Sequence, residues 1–251
     1  MRRLIPDPVF VLSPPRSGST LLRSVLDSHS RIHAPHELHL TLLAVEKRSW
    51  AAGEHSDRYA SIALGEIGLT LAEAEHLLWD RVLHHELTRS GKQLIVNKTT
   101  DNVLNWRRIA ECWPGARYLF LFRNPAHIAD SLARAWAHRP DIDTVARTKM
   151  FVTAMDAARA ALPGHDIRYE DLTARPETTV RALCEFLGVP WEPDMLEYGR
   201  FDHGTYVRGI GDWSDTIRSG VIQPPRPAPV AVSEELRSAC AAWGYLKQAT
   251  R

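Results

Sequence analysis

Val9-Phe-Val-Leu-Ser-Pro-Pro-Arg-Ser-Gly-Ser-Thr20 is the stretch that decides the fold. Four consecutive apolar residues ahead of a turn have the pattern of a strand buried on both faces, as in a parallel sheet. The turn, Ser13 to Thr20, leads into Leu21, Leu22, Val25 and Leu26, which recur on one face of a helix. Strand, tight loop and helix make the first unit of a βαβ fold. A loop at that place offers free backbone N–H groups and the positive end of the helix dipole. Gly18 lets the backbone approach a ligand closely, Ser17, Ser19 and Thr20 add hydroxyl donors, and Arg16 adds a fixed positive charge with several donors. Together these favour a phosphate or a sulfate.

Working outward, residues 31–35 suit a second, short strand. Thr70-Leu-Ala-Glu73 has the form of a capping box and opens a helix to about Thr88. Leu94-Ile-Val96 is another strand, ending at Asn97-Lys98-Thr99-Thr100. A helix over 102–112 is stopped by Pro114-Gly115. Arg117-Tyr-Leu-Phe-Leu-Phe-Arg123 is the strongest strand pattern, and a helix over 125–138 follows with proline in its first turn. The remaining elements are a helix over 143–162, a strand over 165–169, and a helix over 176–187 closed by Gly188. This alternation predicts one α/β domain over residues 1–251. Its expected architecture is a P-loop-like three-layer fold, a central parallel sheet flanked by helices. The stretch 195–229 is rich in Gly, Asp, Arg and Pro. It is too long for a plain connection, which points to a functional loop.

The 251 residues suffice for a well-buried core. The composition, 44% hydrophobic and 24% charged, is that of an ordinary globular protein. A net charge of +1 without basic arm or acidic tail gives no reason to expect nucleic acid or a membrane surface as partner. Any anion site must therefore be local. Cys112, Cys184 and Cys240 show neither disulfide-framework nor metal-ligand spacing. With no signal-like segment, this implies a cytoplasmic protein.

The loop lacks the Gly-Lys-Ser/Thr ending with which nucleotidases hold the β/γ-phosphates and Mg²⁺. The strand over 117–122 ends in Arg123-Asn124 and not in a metal-binding aspartate. Arg123 instead falls at the C-terminal end of its strand, where ligands collect in open parallel sheets. Ser131 follows in the next helix. Arg123 and Ser131 thus suggest a second anion site at the same sheet edge, and a ligand with two separated anionic groups.

At this point the chain resembles the superfamily of sulfotransferases that use 3′-phosphoadenylyl sulfate (PAPS). Pro15-Arg-Ser-Gly-Ser-Thr-Leu-Leu22 resembles the family's 5′-phosphosulfate loop. Phe122-Arg-Asn-Pro125 with Ser131 resembles its 3′-phosphate motif. Arg168-Tyr-Glu-Asp-Leu172, Phe186-Leu-Gly-Val-Pro-Trp191 and Gly209-Ile-Gly-Asp-Trp-Ser214 resemble later segments, in the family's order. The N-terminal third looks most similar to bacterial natural-product and protein-tyrosine sulfotransferases, through Arg23, Leu26-Asp27, His29 and Glu37. Arg16 stands where cytosolic small-molecule sulfotransferases have a lysine. Thr100 stands where they carry a histidine base.

The resemblance implies a sulfuryl transfer from PAPS to a hydroxyl, with Glu37 as base and no metal required. His39, two residues on, either orients Glu37 or touches the acceptor. Lys98 and Arg16 neutralise charge on the sulfuryl oxygens and the leaving group. Cofactor contacts are expected from Arg16, Ser17, Gly18, Ser19, Thr20, Arg123 and Ser131. Tyr169 and Trp213 are available to the adenine or its phosphates. Arg208 and Gly209 add a contact from the 195–229 loop, which would cover the cofactor. The acceptor would be a small metabolite of secondary metabolism, free or tethered to a carrier protein, near Trp50, Tyr59, Trp136 and His138. A P-loop-like kinase and a non-catalytic nucleotide binder are the competing classes.

Overall fold

Phe10 and Leu12 point to one side of a central sheet, and Val9 and Val11 to the other. All four are fully buried in a computed structural model that describes residues 2–47, 56–204, 215–224 and 232–246. This period-two alternation recurs along the strands. Tyr118, Phe120 and Phe122 join Phe10 and Leu12, while Leu119 and Leu121 join Val9 and Val11. A sheet buried on both faces explains why its strands are continuous apolar runs.

In chain order the elements begin with β1 (Val9–Leu12), α1 (Ser19–Asp27), β2 (Ile32–His33), α2 (Ser56–Glu66), α3 (Leu71–Ser90) and β3 (Leu94–Lys98). They continue with α4 (Trp106–Cys112), β4 (Arg117–Phe122), α5 (Pro125–Ala135), α6 (Thr144–Ala161) and β5 (Gly164–Arg168). The last are α7 (Tyr169–Ala174), α8 (Pro176–Leu187), α9 (Asp215–Arg218) and α10 (Glu234–Ala242). The strands pair in parallel in the order β2-β3-β1-β4-β5. The architecture is the expected P-loop-like one, helices on both faces of a parallel sheet. Leu22, Val25 and Leu26 of α1 and Val180, Leu183 and Leu187 of α8 cover one face. Trp79 and Leu83 of α3, Ile109 of α4, and Phe151 and Met155 of α6 cover the other.

Register brings the strand ends together. Val11 of β1 lies beside Lys98 of β3, and Leu12 beside Phe120 of β4. Phe122, the last residue of β4, lies beside Arg168, the last of β5. The segments that leave these strands, Ser13–Gly18, Arg123 and Tyr169, therefore emerge along one edge, as parallel α/β sheets require of their ligand sites.

Thr70 and Glu73 form the expected capping box, with the Glu73 N–H donating to Thr70 Oγ1 (3.1 Å) and the Thr70 N–H to Glu73 Oε2 (2.7 Å). The helix expected over 102–112 is instead a 3₁₀ turn, Thr100–Val103, followed by α4. Within it Asn102 donates to Asn97 Oδ1 at 2.8 Å, so a side chain fixes that turn. α5 stops at Ala135, before the restriction that Pro140 places on the chain. The strand expected to include Tyr169 ends at Arg168, because Tyr169 already starts α7. The stretch 195–229 contains helical structure as well as loop: a 3₁₀ helix, Pro193–Arg200, and α9. The three cysteines are unpaired and buried. Burial pushes the Cys112 thiol up to about 12 and that of Cys184 to about 11.

Candidate active site

α1 begins without a side-chain cap. Its N-cap is Gly18, at φ +87°, which has no side chain with which to cap the first turn. Arg16 also adopts a left-handed backbone, at φ +63°. A non-glycine residue held there costs about 1–3 kcal/mol and persists only where its surroundings impose it. Here Arg123 does so: its guanidinium donates to the Arg16 carbonyl at 2.5 Å. Arg16 in turn donates from Nε to Ser131 Oγ at 3.2 Å. The two anion sites anticipated separately are thus one cross-linked unit, joined through Arg16.

Tyr169 closes this unit from above. The Arg123 guanidinium lies over its ring at 4.4 Å from the centroid, a cation–π contact that fixes the plane of the donors. The same ring rests on Gly18: a Cβ added there would come within 2.3 Å of Tyr169 Cδ2. Glycine is therefore required twice at position 18, for its φ and for this contact.

Glu37 reaches the site from the segment after β2. Its Oε1 accepts from Lys98 Nζ at 2.5 Å, and its Oε2 lies 3.5 Å from His39 Nε2. Lys98 is 1% exposed and the Glu37 side chain 7%, so the pair is withdrawn from water. His39 has a left-handed backbone, φ +47°, and its N–H donates to Thr99 Oγ1 at 3.4 Å.

A cavity of about 680 Å³ joins these groups. Arg16, Gly18, Ser19, Thr20, Glu37, Arg123, Ser131 and Tyr169 all line it. Leu132, Trp136 and His138 extend its wall, the last two as anticipated for an acceptor. Ser17, Lys98 and His39 are not part of that lining. Ser17 is fully buried, and its Oγ has no hydrogen-bond partner among the described residues. Lys98 meets Glu37 and does not line the cavity itself. Tyr59 lies exposed on α2, away from the cavity. Trp50, Arg208, Gly209 and Trp213 lie outside the described residues. Sequence reasoning missed Tyr198, Ile217 and Val221, which also line the cavity. They sit in the stretch taken as loop, where no periodicity marks them.

An uncapped helix start, an orphaned buried hydroxyl and two guanidiniums suit a ligand with more than one anionic group. Fold and site together define a P-loop-like α/β protein in which guanidinium groups and a carboxylate face one cavity. The chain belongs to the sulfotransferase family, whose model matches residues 8–193. It is 25% identical over 203 residues to protein-tyrosine sulfotransferase 1 of Danio rerio, covering 76% of this chain and 55% of that protein. It is 27% identical over 228 residues to the nodulation protein NoeE of Sinorhizobium fredii, covering 79% and 54%. The chain thus spans about half the length of these two relatives. Among solved structures it resembles the sulfotransferase domain from the curacin biosynthetic pathway, with a TM-score of 0.67, 23% identity, and coverage of 96% of this chain and 99% of that one. The mouse sulfotransferase SULT7A1 complexed with PAP shares the fold at a TM-score of 0.50, with 15% identity and coverage of 88% and 77%. Among the described residues, no helix is long and apolar enough to cross a membrane.

Proposed function

We propose that the protein transfers a sulfuryl group from PAPS to a hydroxyl of a small acceptor, with residues 1–251 acting as one sulfotransferase domain. The observation that carries this reading is the position of Glu37. A carboxylate lines the same cavity as Arg16, Ser19, Thr20, Arg123 and Ser131, so a base and a set of anion donors face one volume. A protein that only bound nucleotide would need no buried Lys98–Glu37 pair beside its phosphate loop.

PAPS supplies an activated sulfuryl group: the acceptor oxygen forms a bond to sulfur, the bond from sulfur to the 5′-phosphate oxygen breaks, and adenosine 3′,5′-bisphosphate leaves. The loop N–H groups with Ser19, Thr20 and Arg16 would hold the 5′ end, and Arg123 with Ser131 the 3′-phosphate. Such charge-assisted contacts stabilise charge as it moves onto the leaving group. Lys98 holds Glu37 by Oε1, which leaves Oε2 to receive the acceptor's proton. His39, 3.5 Å from Oε2, is placed to steady that oxygen or to pass the proton on. Tyr169, over Arg123 and Gly18, would exclude water from the phosphate contacts.

Leu132, Trp136 and His138 offer the acceptor an apolar wall with one polar end. This suits a small metabolite, free or presented by a carrier protein; one solved structure that the chain resembles is a sulfotransferase domain from a biosynthetic pathway. Two measurements test the proposal. Adenosine 3′,5′-bisphosphate should bind well ahead of ADP in a titration, and labelled PAPS should label a hydroxyl compound in an acceptor screen. Preference for ADP, with phosphate transferred from ATP, would establish a kinase instead.

A further inference from the structure

Asp27, at the C-terminal end of α1, is buried among hydrogen-bond donors. Its Oδ1 accepts from the Ala34 N–H at 2.9 Å and lies 3.3 Å from His33 Nδ1 and 3.7 Å from Lys92 Nζ. Its Oδ2 meets His203 Nδ1 at 2.9 Å. The other ring nitrogen of His203, Nε2, lies 2.9 Å from the Tyr198 carbonyl oxygen, with Ser28 Oγ further off at 3.4 Å. A carboxylate and a carbonyl oxygen are both acceptors, so the ring satisfies both only by donating from both nitrogens, which is the imidazolium form. The side chain is 3% exposed, and a buried cation of this kind requires such a carboxylate partner.

The far end of this chain of contacts is the cavity. Tyr198 donates from its hydroxyl to the carbonyl oxygens of Ile217 and Val221, both at 3.2 Å. Tyr198, Ile217 and Val221 all line the cavity beside the phosphate loop. Gly199 and Gly220 lock the same strip: the Gly199 N–H donates to the Gly220 carbonyl at 3.2 Å, and a Cβ on Gly199 would lie 2.5 Å from the Gly220 Cα. On the other side Gly204, next to His203, packs on the ring of His36, the neighbour of Glu37.

We propose that His203, as an imidazolium held between Asp27 and the Tyr198 carbonyl, is a positioning residue that fixes the Tyr198–Ile217–Val221 wall of the transfer cavity. The inference rests on the sulfotransferase reading of that cavity, but the latch itself is defined by the chain's own contacts. The charged and titratable groups around it include Asp27 and Arg23 of α1, His33 of β2, His36 after it, Lys92 before β3, and Asp202 and Arg218, which line a small pocket with His203. His33 also faces Glu86 of α3, at 3.6 Å. Burial first, then Arg23, Lys98 and His203, lower the basicity of His36, while Asp27 opposes them. Asp27 is therefore the one carboxylate in hydrogen-bond contact with the His203 ring among the described residues.

The test combines a spectroscopic and a kinetic readout on the full chain. In ¹⁵N spectra of the imidazole rings at neutral pH, both nitrogens of His203 should be protonated, and Asp27→Asn should abolish that state. His203→Phe keeps an aromatic ring but neither hydrogen bond. It should raise the KM for PAPS and the Kd for adenosine 3′,5′-bisphosphate roughly ten-fold or more, the loss expected of a buried charged hydrogen bond, while kcat at saturation falls far less. His203→Gln, which can still donate one bond, should recover part of the loss. A neutral His203 ring, or variants that lose thermal stability with KM unmoved, overturns the proposal. If the chain transfers no sulfuryl group at all, the spectra still decide the latch. If transfer is intact and the ring is neutral, the latch alone fails.

Discussion

Glu37 Oε1 and Lys98 Nζ lie 2.5 Å apart in a pocket where neither side chain is more than 7% exposed. Lys98 is carried there by the register of β3 beside β1, which sets it level with Val11, just before the turn into α1. Glu37 arrives from the other side of β3, on the segment that follows β2. Two chain segments about sixty residues apart in sequence thus meet at one charge pair.

Removing Lys98 leaves the buried Glu37 carboxylate without its ammonium partner, a loss that typically costs about 3–5 kcal/mol. Lys98→Met should therefore lower the unfolding free energy by about that amount. In Lys98→Met/Glu37→Gln much of the loss should be recovered, because neither charge remains. A double-mutant cycle by urea unfolding measures the coupling. Additive losses would show that the pair contributes no coupling.

Arg123→Ala should weaken adenosine 3′,5′-bisphosphate by roughly 10- to 150-fold, the range for a charge-assisted phosphate contact of about 1.5–3 kcal/mol. Adenosine 5′-phosphosulfate, which lacks the 3′-phosphate, should lose much less. Some loss is expected even there, because Arg123 also donates to the Arg16 carbonyl and so holds the loop. Isothermal titration with both ligands separates the two roles. Equal losses would mean that Arg123 acts only through Arg16.

Asp27 gives the fold a dependence on acid. Burial pushes its carboxyl up, but His203, His33, the Ala34 N–H and Lys92 outweigh burial and hold it well below the ordinary value of 3.8. A carboxyl depressed by folding contributes stability that is fully present above its unfolded value, about 3.9, and is lost as pH falls through the acid range below it. Wild-type stability should drop steeply below about pH 4. Asp27→Asn should be less stable at pH 7 and show a flatter acid limb. Urea midpoints between pH 7 and pH 2 check this, and parallel curves for the two proteins would contradict it.

The sheet was legible because its signal is local. Val9–Leu12 and Arg117–Phe122 are continuous apolar runs, and Gly18, Pro125 and Gly188 mark boundaries through their own backbone preferences. The turn between β1 and α1 was legible for the same reason. The His203–Asp27 contact was not, since it joins residues 176 apart and no local pattern around either points to the other. Likewise, the motif singles out Ser131, but its bond to Arg16 depends on how α5 packs over the loop. Tyr198, Ile217 and Val221 sit in a stretch whose glycines suggested loop. Gly199 and Gly220 are there for close backbone approach, which composition alone does not distinguish from a need for flexibility.

Glu37→Gln should keep the affinity for adenosine 3′,5′-bisphosphate and lose most of the turnover. The amide is nearly isosteric and can still accept from Lys98, so the fold and the donor end of the cavity should survive. What it cannot do is take the acceptor's proton. A general base typically contributes about 10²–10⁴-fold, and a group that acts mainly in the transition state shows its loss in kcat. A phenolic acceptor, which ionises more easily, should lose less than an aliphatic alcohol. Steady-state kinetics with both acceptor types, together with thermal shift on adding adenosine 3′,5′-bisphosphate, measure the two halves of the claim. His39→Ala should lower kcat less than Glu37→Gln, because His39 reaches the carboxylate only from 3.5 Å. Near-normal kcat in Glu37→Gln with kcat abolished in His39→Ala would reverse the assignment and make His39 the base.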